Sequence, residues 1–154
     1  MDYKRITLAA VVAWFVNLVY GLFGWMTATG DQFAANPAVF RTQAGVNANI
    51  PLMLAGELLA MFVLALIYAR GYEGGGGLRE GFRFGLLMAV FMVSFASIGL
   101  YGALNIDAQS ALLTATQLFV RMVIAGTVIG LFYRPAPAPK PQAAAAVVPA
   151  HRQG

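Results

Sequence analysis

The chain contains no cysteine, a single histidine and only six aspartates and glutamates in 154 residues. Without cysteine there is no thiol nucleophile, no dithiol redox couple, no iron–sulfur cluster and no disulfide. The lone His151 lies among prolines and alanines near the C-terminus, so no pair of histidines can hold a haem or a metal. We therefore expect no metal and no cofactor. The acids are scattered, and none stands beside another in an apolar run, so no catalytic group is identified and an enzyme is not expected. The ten lysines and arginines form no block, which argues against nucleic acid as a partner despite a pI of about 9.8.

What is abundant is apolar surface. Hydrophobic residues make up 60% of the chain and the mean hydropathy is +0.71, outside the range of soluble domains. Four runs approach or exceed the ~20 residues a bilayer crossing needs. They cover about 6–26, 50–69, 84–104 and 111–133. The first follows Lys4 and Arg5 like a signal peptide, but it is longer than the ~7–15 residues of a signal core, so it is read as a retained span. Residues 27–49 form a long connector. Asn36-Pro37 matches a helix start, which would allow a short helix over Pro37–Gln43, although a plain connector is the simpler expectation. Pro51 suits the first turn of the second span, where its missing N–H does no harm. Gly74 to Gly77 read as a flexible turn, since no Gly-Lys-Ser/Thr follows to make a phosphate loop. Residues 134–154, with prolines at 135, 137, 139 and 141, are expected to be a disordered tail.

The expected fold is thus all-α: an integral membrane four-helix bundle over residues 1–133. Lys4, Arg5, Arg70, Arg79, Arg83, Arg134, Lys140 and Arg152 fall on one side and only Arg41 on the other. The positive-inside rule then places both termini in the cytoplasm, N-in/C-in.

Helices in lipid associate through small residues and polar contacts. Ala9, Ala13, Asn17 and Gly21 recur every four residues in the first span. Gly85, Ala89, Met92, Ala96, Gly99 and Ala103 make a stripe in the third, Gly56 and Ala60 flank Glu57 in the second, and Gly126 and Gly130 form a GxxxG pattern in the fourth. Packing within the chain is expected over a homodimer face.

Arg121 and Glu57 are the only charges deep in apolar runs. A lone mid-membrane arginine costs roughly 3 kcal/mol on insertion scales, so the two should be brought together as a buried polar centre. Arg121 lies eleven residues beyond Ser110 and Glu57 seven beyond Ile50. Those counts put them about 16 Å and 10 Å below the outer surface. Gln117, near the depth of the glutamate, could bridge them, and Asn17 should stand near the level of Arg121. This set reads either as a fixed pair that sets helix register or as a substrate site.

The second half, from Arg79-Glu80-Gly81-Phe82-Arg83-Phe84-Gly85-Leu86-Leu87 to Ile129-Gly130-Leu131-Phe132-Tyr133, together with Gly21-Leu22-Phe23-Gly24-Trp25, resembles a widespread family of short bacterial four-span membrane proteins of unknown function. The resemblance covers most of residues 6–133. It implies the four-span fold and a bacterial cytoplasmic (inner) membrane location, and no activity. The expected role is a non-enzymatic structural or accessory subunit whose partners are the lipid bilayer and a second copy or a larger membrane complex. The alternative is a small transporter or channel using Glu57, Arg121, Gln117 and Asn17.

Overall fold

The computed structural model describes residues 2–72, 74 and 76–133. The expected disordered tail lies outside the described residues. Among those described there are helices and no strand, and four helical rods are long and apolar enough to cross a membrane: Tyr3–Thr27, Gln43–Arg70, Gly77–Ala103 and Ala108–Phe132.

Helix α1 (Tyr3–Gly24) starts where the Asp2 carboxylate accepts the Arg5 N–H at 3.2 Å. It runs on through a wider π-helical turn, Trp25–Thr29, into a short α2 (Gly30–Ala35). The widening centres on Gly30, whose N–H donates to the Trp25 carbonyl five residues back. A Cβ at Gly30 would lie only 3.0 Å from that oxygen, so glycine admits the closer approach. The prolongation falls before Pro37. Residues 37–39 form a turn rather than a helix over Pro37–Gln43.

Helix α3 (Gln43–Arg70) begins eight residues before Pro51, which sits inside the helix rather than opening it. Three side chains favour the earlier start. Thr42 accepts the Gly45 N–H at 3.3 Å, Gln43 donates to Asn47 at 2.9 Å, and Asn49 donates to the Gly45 carbonyl at 2.7 Å. The cost falls on the Asn47 carbonyl, which has no N–H to accept from Pro51.

The following turn needs glycine at Gly74, where φ is +87°. Gly77, however, belongs to the next helix. Helix α4 (Gly77–Met92) passes through a second π-helical segment, Val93–Ile98, into α5 (Gly99–Ala103).

Helix α6 (Ala108–Phe132) is capped by Asp107, which accepts the Ser110 hydroxyl at 2.6 Å and the Ser110 N–H at 2.9 Å. These two bonds, the hydroxyl first, hold the Asp107 carboxyl below the usual carboxylate range. The folded value is the lower one. The cap therefore contributes fully above the ordinary aspartate pKa and is lost as pH falls through the folded value. The protection of the Ser110 amide, its exchange rate relative to the unfolded-chain rate at the same pH, should fall on acidification in the wild type, and Asp107→Asn should make that ratio insensitive to pH over the same window.

Helix α6 is the centre of the bundle. It packs most extensively on α4 and next on α1, while α3 packs chiefly on α1. The α4 contact is made of glycine. Gly77, Gly81, Gly85 and Ala89 recur every four residues and are all buried. A Cβ on Gly81 would meet the Gly126 carbonyl at 2.6 Å, and one on Gly85 would meet the Met122 and Val123 carbonyls at 2.9 Å. The GxxxG of α6 is thus occupied within the chain. Ala9, Ala13 and Asn17, all fully buried, are the packed ridge of α1, and Ala125 and Ile129 that of α6. The outer part of the third-span stripe does not pack. Gly99 and Ala103 are exposed and Ala96 is half-buried. Gly56 and Ala60 are also exposed, with open space around Gly56.

One end of the bundle is closed and the other splayed. The apolar core joins Ile6, Ala9 and Ala13 of α1 to Met61, Leu64 and Tyr68 of α3 and to Ile129 and Tyr133. A ring cluster finishes it: Tyr68 stands 5.2 Å from Phe84 and 6.1 Å from Tyr133, edge to face. No residue of α3 before Met61 is buried. Towards the 36–42 connector, then, α1, α3 and α6 stop meeting closely, and a crevice opens among them.

Candidate functional site

Glu57 and Arg121 sit where the three helices part. Arg121 Nη2 donates to Glu57 Oε1. Arg121 lies near the middle of α6, 13 residues after Ala108 and 11 before Phe132, and α6 places it on the side facing α1, where a Cβ on Gly21 would lie 3.7 Å from the guanidinium carbon. A Cβ at that distance would make only ordinary contact, and the neighbour of Gly21 is the Arg121 side chain rather than a backbone.

The other two expected members are placed differently. Gln117 packs against Gly24, 2.9 Å from where its Cβ would be, and among the described residues no hydrogen bond joins it to Glu57 or Arg121. It lies on the next turn of α6 beside the pair and does not bridge it. Asn17 is fully buried one helical turn from Gly21, towards the closed end. Its side-chain amide donates to the Ala13 carbonyl at 3.1 Å, and its side-chain oxygen has no hydrogen-bond partner among the described residues. Gly21 therefore occupies the level expected for Asn17, and Asn17 is part of the packed ridge. The offset comes from the antiparallel pairing of α1 with α6, which residue counts from each span's start do not fix.

The centre is not dry. The side chains of Arg121 and Glu57 keep 32% and 18% of their surface open, because the crevice runs down to them. Its inner part has a volume of about 390 Å³, with Leu18, Leu22, Ile50 and Leu54 as walls and Glu57 and Arg121 at its polar end. A second part, about 710 Å³, extends under the connector past Phe40, Arg41, Asn49 and Gln117 and shares Gly21, Trp25 and Arg121 with the first. These volumes fall within or near the range of small-molecule sites, roughly 300–1,000 Å³.

Apolar walls around one carboxylate and one guanidinium form a zwitterionic floor. An arginine has five N–H donors, and the contact with Glu57 engages Nη2 alone, so the guanidinium retains donors for an acceptor in the crevice. Besides Gln43, Asn47 and Thr114, the polar lining includes Arg41 and Asn49. Neither stood out from the sequence as a site residue, although Arg41 is the only cation of the 27–49 connector. No protein-family model, curated protein or solved structure matches this chain.

Proposed function

We propose that this is a non-enzymatic multi-pass membrane protein that holds a small amphipathic molecule in the crevice, its polar group on the Glu57–Arg121 ion pair. The observation that carries the reading is that pair's position, at the polar end of an apolar-walled crevice that reaches the connector. Charges in membrane segments face cavities or pathways by default, because lipid gives them no compensation. The charge asymmetry supports an orientation with both termini in the cytoplasm, so the crevice faces the outer side. The likeness to short bacterial four-span proteins supports the cytoplasmic membrane of a bacterium as the location. Binding, or binding followed by transfer across the membrane, fits this geometry better than a purely structural role, since the Gly126/Gly130 face is consumed inside the chain.

A second reading, an accessory subunit, draws on Gly56, Gly99 and Gly102, which face open space on the outer halves of two spans. Small residues there would admit a close partner helix.

Native mass spectrometry of the full chain in mild detergent separates the two. The binding reading expects a co-purifying small molecule that Arg121→Gln removes. Another polypeptide in its place would establish the accessory role, and a bare protein in both wild type and variant would contradict the binding reading.

A further inference from the structure

A second cleft lies at the closed end, between α3 and α4. The two helices are joined by the 71–76 turn, yet α3 packs mainly on α1, and α4 on α6. The gap left between them is about 700 Å³. Its mouth is lined by Arg79, Glu80 and Arg83, its floor by Tyr68 and Phe84, and its sides by Ile67 and Leu87.

We propose that this cleft binds a phospholipid with a singly charged anionic headgroup. Arg79 and Arg83 are exposed, and neither is in an ion pair among the described residues. At an i, i+4 spacing their guanidinium groups share one helix face, about 6 Å apart at Cβ, and can close on one phosphate together. With Glu80 in the same wall, two positive charges and one negative leave the described lining at +1. That balance fits a monoanion better than a multiply charged headgroup.

The apolar part identifies a lipid rather than a dissolved anion. Ile67 and Leu87 lie beyond the arginines on the outer faces of α3 and α4, 48% and 67% exposed, where acyl chains can lie against them. The ring cluster of Tyr68, Tyr72, Phe84 and Tyr133 sits at the same end, as interfacial aromatics do. It gives the headgroup a rigid floor. Basic pockets between spans bind acidic headgroups in this way. The cleft is at the opposite end of the bundle from the Glu57–Arg121 crevice, and neither proposal depends on the other.

The test uses the full chain in nanodiscs holding equal amounts of phosphatidylglycerol and phosphatidylcholine, with retained lipids counted by native mass spectrometry. The wild type should retain phosphatidylglycerol preferentially. The Arg79→Gln/Arg83→Gln variant should lose at least about five-fold of that preference, since a hydrogen bond from a guanidinium to a charged phosphate oxygen is worth at least that factor. Arg70→Gln removes a charge from the same end but outside the lining, and should change the preference less than about two-fold. Added inorganic phosphate should not displace the lipid. Equal retention of the two lipids, a loss with Arg70→Gln matching that of the double variant, or displacement by inorganic phosphate would each overturn the proposal.

Discussion

Gly126→Leu is expected to prevent α4 and α6 from closing and to cost about 3 kcal/mol or more, the upper end for overpacked cores. The magnitude follows from what a side chain would strike. A Cβ at position 126 would lie 2.5 Å from the Gly85 nitrogen and 2.8 Å from the Gly81 carbonyl oxygen. Both obstacles are backbone, so no rotamer change relieves them, and the helices must separate along their length. In lipid no hydrophobic force would draw them back together. Gly56→Leu is the control. It adds the same side chain to another span where nothing lies within 4 Å, and should change stability by less than about 0.5 kcal/mol. Thermal unfolding in detergent, compared across both variants and the wild type, checks the contrast. Equal effects would mean that the glycine contact does not hold the bundle.

That contrast also marks what could be read from the residues alone. The four spans were legible because apolar length is a property of composition, and so was the small-residue ridge of α1 with Gly85, Ala89, Gly126 and Gly130. Gly77 and Gly81 were not assigned to the contact. Four consecutive glycines look like a loop, and only the partner helix reveals that the last of them is already packed. Pro51 misled for a related reason. Proline opens helices more often than it sits inside them, but Thr42, Gln43 and Asn49 carry the local bonds that start α3 earlier.

The cost of an isolated charge in lipid was legible in the sequence and is the reason for expecting Glu57 and Arg121 together. The surroundings were not. The levels of Asn17 and Gln117 depend on how antiparallel helices are staggered, and the crevice exists because packing stops at Met61 on α3. Neither is written in any single span.

Arg121→Leu should have the second large effect, about 3 kcal/mol of destabilisation, because it leaves the Glu57 carboxylate without its partner. We expect the lower end of the range for buried pairs, since the crevice leaves both side chains partly open. Glu57→Gln should cost less, as the amide oxygen still accepts from the guanidinium. Combining it with Arg121→Leu should recover at least half of the loss, because no uncompensated charge remains. A double-mutant cycle read by detergent melting measures the coupling, expected at about 2–3 kcal/mol. Strict additivity of the two changes would mean that the residues do not interact.

The proposed binding role requires an open crevice that reaches Glu57 and Arg121 from the connector end. Since the chain has no cysteine, a single introduced thiol can report on it without background. Leu54→Cys places that thiol in the crevice wall one turn from Glu57, and Gly56→Cys places one at nearly the same depth on the open outer face of α3. A thiol reacts as its thiolate, which forms in water and not in hydrocarbon. In membranes treated with a water-soluble maleimide from the connector side, Leu54→Cys should be labelled and Gly56→Cys should not. Labelling of neither, or of Gly56→Cys alone, would contradict the crevice and the site at its end.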